Sequence, residues 1–391
     1  MQPLEGLTVL SVEQAVAAPF ATRQLADLGA RVIKVERPGP GDFARDYDET
    51  VRGMSSHFVW LNRSKESIAV DLKTEHGHQV MQRLVATADV FVQNLAPGAA
   101  ERLGLGADEL RSRDPRLVHC SISGYGAGGP YTEKKAYDLL VQCEAGLVSV
   151  TGSEDEPAKV GISVADIAAG MYAYTGILTA LLRRGRTEQG ATIEVSMLEA
   201  LAEWMGFPMY FASYGGTPPP RSGASHAAIA PYGPFPCGDE QMVFLGIQNQ
   251  REWKVFCEQV LRKPPLADDP RFSTNSGRVA HRDDLGEEID AIFRTMSSDE
   301  VLRRLDDANI ANARLRDMAG LAEHPQLAAR ARWTEVDSPV GPIRALVPPA
   351  TLDGDQPRMD RIPAPGEHTD AILAELGLSD GEIGSPGATP T

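Results

Sequence analysis

The chain has 391 residues, with 38 lysines and arginines against 54 aspartates and glutamates, and a formal charge of −16. Hydrophobic residues make up 42% and charged residues 24%, the balance of a globular chain with ample material for a core, which excludes bulk disorder. So acidic a chain repels nucleic acid and anionic membrane surfaces, so neither is expected as a partner, although local basic patches can still hold a small anion.

The first 125 residues alternate between two hydrophobic periods. LTVLSVE (7–13) predicts a strand, PFATRQLADLGA (19–30) a helix ending at a glycine, and RVIKVE (31–36) a second strand. That is a βαβ unit with a right-handed crossover. The pattern continues with SIAVDL (67–72), a helix over 75–87, DVFVQN (89–94), a helix over 99–113 and RLVHCSIS (116–123). Five strands separated by helices predict a parallel, doubly wound α/β sheet.

Residues 160–214 read as two long apolar helices around the short strand ATIEV (191–195). The stretch 163–182 has the length of a membrane span, but it carries Asp166 and many small residues, and a helix buried in a globular core is the better reading. The segment 215–236 is dense in Gly and Pro and predicts a loop or domain boundary. A strand at 241–247 and amphipathic helices at 251–262, 281–296 and 298–308 predict a smaller α+β domain. From about 330 come short strands, in VDSPVGPI and IRALVPP, and a last helix at 368–377, before a tail, SDGEIGSPGATPT, expected to fray.

Cys120, Cys143, Cys237 and Cys257 form no CxxC pair, which argues against a zinc ribbon or dithiol motif and fits a reducing, cytoplasmic setting. The N-terminal MQPLEGLTVL has no basic leader before an apolar run, so no signal peptide is expected. The eight histidines show no metal spacing: His76 and His78 flank Gly77 in a surface turn, and His226 lies in the Gly/Pro-rich loop. Neither GxSxG nor HExxH is present.

A βαβ start invites a dinucleotide site, which needs GxGxxG after the first strand so that backbone can approach a pyrophosphate. The turn here, EQAVAAPFA (13–21), contains no glycine, so a nicotinamide site is not expected. ERPGPGDFAR (36–45), VDLK (70–73), QNLAPGAAERLG (93–104) and SISGYGAGGP (121–130) follow successive strands, several with Arg or Lys. Together they predict an edge that holds a long ligand with phosphates. Asp138 opens an apolar helical stretch over 139–150, as a first-turn acid or as a carboxylate facing a cleft. Asp166 lies inside an apolar helix, where a carboxylate must be paired, capped or functional.

The ordered motifs PLEGLTVLSVEQAVAAPFATRQLADLGARVIKVERPGPGD, LNRSKESIAVDLKTEHG, ADVFVQNLAPGAAERLGLG, SISGYGAGGP, YDLLVQCEAG and DIAAGMYAYTGILTALLRRGRTEQGATIEVSMLEA, followed by PYGPF, resemble the class III CoA-transferases over nearly the whole chain. The resemblance implies a Rossmann-like large domain built from 1–214 and a returning segment 330–391, with a small domain at 215–329, and two chains interlocked as a homodimer. It implies no permanently bound cofactor and no metal, with a coenzyme A thioester and a small carboxylic acid as substrates.

It further implies that Asp138 attacks the acyl-CoA thioester, forming an aspartyl anhydride and then an aspartyl-CoA thioester. Carried over residue by residue, it places coenzyme A on Val16, Ala17, Arg37, Leu72, Lys73, Asn94, Leu95, Ala96, Arg102, Ser123, Gly124, Tyr125 and Gly126. Formyl-CoA transferases have glutamine at Val16 and lysine at Ser123, which points away from formate and oxalate and toward a larger dicarboxylic or branched acid, such as succinate, mesaconate, itaconate or citramalate. The related α-methylacyl-CoA racemases are the alternative. They use a His/Asp pair; Tyr137 stands at the histidine position and Asp166 at the aspartate, and tyrosine, with an ordinary pKa near ~10, is a poor base at neutral pH.

Overall fold

A computed structural model of the chain describes residues 2–350 and 352–378. Two compact units emerge. Among the described residues, one comprises those up to Gly146, Val160–Gly206 and those from Leu327 on; the other comprises Leu147–Lys159 and Phe207–Gln326.

The first unit is built on a six-stranded parallel sheet in the order β3-β2-β1-β4-β5-β6, with β1 Thr8–Val12, β2 Arg31–Glu36, β3 Lys65–Ala69, β4 Val90–Gln93, β5 Val118–Ser123 and β6 Ala191–Ser196. Five of these strands follow the alternating periods of the sequence, and ATIEV joins them as the sixth, with Cys120 opposite Ile193. Leu10, Ile33, Ile68 and Phe91 meet in one apolar cluster, which is why the inner strands read as near-continuous apolar runs rather than as an alternation. β3 begins two residues earlier than expected and ends at Ala69, because Lys65 is buried in the sheet by ion pairing.

The strand order reverses between β1 and β4. Beyond the carboxyl ends of the strands at such a switch point, α/β proteins collect their ligands.

Helix Val164–Thr187 is long and apolar enough to cross a membrane by length and composition, yet its Ala165, Ala168, Ala169, Ala173 and Ile177 are buried within the first unit. It lies against helix Ala17–Asp27 so closely that a Cβ on Gly170 would come within 2.7 Å of the Ala17 carbonyl oxygen. Glycine is required there by proximity rather than by dihedral angle.

Several helices break where glycine takes a positive φ. The helix expected over 99–113 is two, Ala99–Arg102 and Ala107–Arg113, parted by Gly104 at φ +71°. The stretch after Asp138 is likewise two, Asp138–Glu144 and Leu147–Val150, parted by Gly146 at φ +80°. Thr369–Glu375 closes the described chain; the expected fraying tail lies outside the described residues.

The second unit contains an antiparallel sheet of β7 Tyr232–Pro236, β8 Met242–Gly246 and β9 Ala311–Arg314. Trp253, Phe256, Phe272 and Phe293 pack into its core. β7 falls in the segment expected to be loop. Its prolines are tolerated because β7 is the sheet's edge strand. β10 Trp333–Val336 and β11 Ile343–Leu346 form an antiparallel pair in the first unit, so most of VDSPVGPI is the turn between two strands rather than a strand itself.

Candidate active site

The residues expected to meet coenzyme A fall at the carboxyl ends of successive strands. Val16 and Ala17 follow β1, Arg37 follows β2, Leu72 and Lys73 follow β3, and Asn94, Leu95 and Ala96 follow β4. Arg102 lies further along the same connection, and Ser123–Gly126 ends β5. Arg37, Lys73 and Arg102 are exposed, and among the described residues no acid forms an ion pair with any of them. Cations left unpaired at a strand edge suit phosphate oxygens. Ser123 closes its own turn, its Oγ accepting from the Gly126 N–H at 3.0 Å. A Cβ on Gly124 would sit 2.1 Å from the Ala136 Cβ, so only glycine lets the segment before Asp138 fold back on this turn.

Three of the expected contacts look different in the fold. Val16 and Ala17 are buried, each 3% exposed, so little of either residue faces outward. The Asn94 side chain is turned onto the first turn. Its Oδ1 accepts from the Gln14 N–H at 2.9 Å and its Nδ2 donates to the Gln14 carbonyl at 2.8 Å.

Asp138 and Asp166 come together although they are 28 residues apart. Asp138 is the first residue of its helix, and all of its bonding is directed inward. Oδ1 accepts from the backbone N–H of Ala165 at 2.7 Å and of Asp166 at 3.2 Å; Oδ2 accepts from Gln142 Nε2 at 2.6 Å. Ser163, at the N-cap of helix Val164–Thr187, makes no side-chain cap bond, so Asp138 caps that helix from another element. Gln142, one helical turn on and wholly buried, fixes Oδ2 and accepts the Val160 N–H on its Oε1 at 3.0 Å.

Asp166 is the reverse case. Asp166 is half-buried, and among the described residues no hydrogen bond to its carboxyl offsets the loss of water. Burial and then the like charge of Asp138 raise its pKa to about 7. The Tyr47 hydroxyl belongs to the same neighbourhood: burial, then Asp42, Asp166 and Tyr137, push its pKa to about 12, so it stays a proton donor. Gln142 and Tyr47 were not singled out from the sequence. Gln142 carries a signal, an amide at i+4 from an acid on one helix face; Tyr47, in an irregular loop, carries none.

A desolvated carboxylate without hydrogen bonds, beside one that is immobilised, can act as a nucleophile or a base. Among the described residues no group of three or more His, Cys, Asp or Glu is placed to hold a metal ion. His226, in the second unit, stacks on Tyr232 at 5.2 Å and accepts the Ala228 N–H on Nδ1.

The sheet, the strand-end cations and the paired aspartates describe an enzyme of acyl-CoA chemistry, and comparison with known proteins gives the family. The model of CoA-transferase family III matches residues 4–369, so the chain belongs to that family and is a class III CoA-transferase. It is 34% identical to the succinyl-CoA:glutarate CoA-transferase of Mus musculus over 383 residues, covering 96% of this chain and 87% of that one. It is 37% identical to the acetyl-CoA:oxalate CoA-transferase of Acetobacter aceti over 330 residues, 84% of each chain. A CAIB/BAIF family protein from Brucella suis has a similar crystal structure, with a TM-score of 0.85 and 33% identity over 96% of this chain and 99% of that one.

Proposed function

We propose that the enzyme moves coenzyme A from an acyl-CoA to a small dicarboxylate through an acylated aspartate, and that the attacking residue is Asp166, with Asp138 as its positioning partner. The observation that carries this is the contrast within the pair. The resemblance assigned the attack to Asp138, but that carboxylate spends both oxygens on three hydrogen bonds and caps a helix. Attack would require it to give up those bonds. Asp166 has none to give up, and its raised pKa marks a more basic, poorly solvated carboxylate.

The steps balance without proton transfer. An Asp166 oxygen attacks the thioester carbonyl, the C–S bond breaks and coenzyme A leaves as thiolate. The thiolate then attacks the Asp166 carbonyl carbon and frees the donor acid, leaving an aspartyl thioester. The acceptor carboxylate displaces the thiolate from that carbon, and the thiolate takes the new acyl group. Acylation neutralises Asp166 and removes its repulsion from Asp138, which favours the forward attack. Both intermediates remain activated, so little of the thioester's free energy is lost, provided water is kept out.

Relatives named for glutarate and oxalate support a dicarboxylate acceptor. A homodimer fits helix Gly206–Gly215, none of whose residues is buried and which leaves Phe207, Tyr210 and Tyr214 more than half exposed. The test is intact-protein mass spectrometry with an acyl-CoA panel, succinyl-CoA first, and hydroxylamine trapping. An adduct on Asp166 supports the reading. No adduct, with exchange of the α-hydrogen of a 2-methylacyl-CoA into deuterated solvent, would sink it in favour of the racemase.

A further inference from the structure

The turn after β1 has no glycine, yet every residue from Glu13 to Ala15 is held by a side chain from elsewhere. The Glu13 carboxylate is buried against two lysines, Lys65 Nζ at 2.7 Å and Lys34 Nζ at 3.3 Å, with the Thr22 hydroxyl donating at 2.5 Å. Burial pushes the Glu13 carboxyl up, but the two lysines outweigh it and hold the pKa below the ordinary value. The backbone of Gln14 is bonded on both sides by Asn94. The Ala15 N–H donates to Asp42 Oδ1 at 3.1 Å, while Asp42 Oδ2 accepts from Lys34 at 2.8 Å. Ala15 itself has φ +61°, a left-handed conformation that costs a non-glycine residue about 1–2 kcal/mol and persists only where the surroundings enforce it.

These clamps converge on one place. Gln14 follows β1 and Asn94 follows β4, the two strands between which the sheet order reverses. Asp42 reaches the same turn from the connection after β2, where its Oδ1 also accepts the Ala44 N–H at 2.9 Å. A dinucleotide fingerprint shapes such a turn with glycine; here polar side chains do it.

We infer that Asn94 and Asp42 are positioning residues for acyl-CoA: they fix the glycine-free turn Glu13–Val16 across the switch point, and Asn94 acts through Gln14 rather than by touching the ligand. The inference rests on the reading of this edge as the acyl-CoA site. Its energetic content is preorganisation, since a turn already fixed has no ordering cost left when the ligand arrives.

The experiment joins hydrogen exchange of the free, full-length enzyme over residues 12–18 to steady-state kinetics with succinyl-CoA and glutarate. In Asn94→Ala the Gln14 and Ala15 amides exchange about tenfold faster, the scale of one ordinary hydrogen bond. The KM for succinyl-CoA rises by a similar factor, and the KM for glutarate and kcat change less than threefold (~). Asn94→Asp keeps the acceptor for the Gln14 N–H and restores part of both effects. Asp42→Asn, which keeps its oxygen for Ala15, gives a smaller change than Asn94→Ala in the same two readouts.

Exchange in Asn94→Ala as slow as in the wild type, with a raised KM, overturns the inference and makes Asn94 a direct contact. Faster exchange with an unchanged KM overturns it too, because the turn then does not serve the ligand. If the wild type neither turns over succinyl-CoA nor gains protection from it at the turn, the functional reading falls, and this inference with it. The first two outcomes leave that reading standing.

Discussion

Oδ1 of Asp138 accepts a hydrogen bond from the backbone N–H of Asp166 at 3.2 Å, so one carboxylate caps the helix turn that carries the other. The cap binds the pair together and places two like charges side by side in a poorly hydrated site. The engaged member is fixed and the unengaged member is destabilised as an anion, which separates a positioning role from a nucleophilic one.

Substitution separates those roles. Asp166→Asn is expected to lower kcat by at least about 10³-fold, as removal of a nucleophile does, with acyl-CoA binding by calorimetry retained. Asp138→Asn keeps one oxygen for the Ala165 and Asp166 amides but sets an NH₂ group against Gln142 Nε2. It is expected to cost about 1–3 kcal/mol of stability by thermal unfolding and to leave measurable turnover. Full turnover in Asp166→Asn would be incompatible with the assignment.

The pH profile follows from the raised pKa of Asp166. A nucleophile must be ionised, so kcat/KM is expected to rise with pH through about 7 and then level. In Asp138→Asn the like charge is gone while burial remains, so the midpoint moves to lower pH. A midpoint that stays in place in this variant would mean that another group governs the profile.

Stability has the opposite sign. The folded protein holds Asp166 protonated up to about pH 7, whereas the unfolded chain releases that proton near the ordinary value of 3.8. Between these pH values the folded state binds more protons. This contribution is therefore fully favourable below pH 3.8 and is lost as pH rises through 7. Asp166→Asn is expected to raise stability at pH 8 by about 2 kcal/mol, after allowance for partial solvent access, and to change it little at pH 4. Urea titrations at the two pH values measure this.

The unpaired cations make a separate prediction. Alanine at Arg37, Lys73 or Arg102 is expected to raise the KM for acyl-CoA about tenfold each, and to reduce its dependence on ionic strength, with the KM of the acid unchanged. Equal effects on both substrates would place these residues elsewhere in the reaction.

Much of the sheet was legible in the sequence for a specific reason. β1, β2 and β4 are short runs rich in β-branched residues, and β5 alternates apolar with polar residues over part of its length, so each stands out from the helical period beside it. β9, ANAR, has no apolar period, and β7 is masked by its prolines; both exist because β8 lies between them. The breaks at Gly104 and Gly146 depend on dihedral angles that a helical period does not record.

The site divides in the same way. Asp138 and Asp166 stood out as acids on apolar helices, but which one is engaged is decided by a contact between two separate helices, and local pattern carries no trace of it. Asn94 was placed correctly at the strand end, yet its partner, Gln14, lies 80 residues away in sequence.

The most direct measurement is the fate of a labelled acceptor. An acceptor carboxylate carrying oxygen-18 at both positions leaves one heavy oxygen on the attacking aspartate in each turnover, because the bridging oxygen of the second anhydride stays with the enzyme. Trypsin cleaves after Lys159 and so separates Asp138 from Asp166. With succinyl-CoA and labelled glutarate, the label is expected in the peptide 160–183. Label confined to the peptide 136–159 would make Asp138 the nucleophile, and turnover that labels neither peptide would contradict aspartyl catalysis altogether.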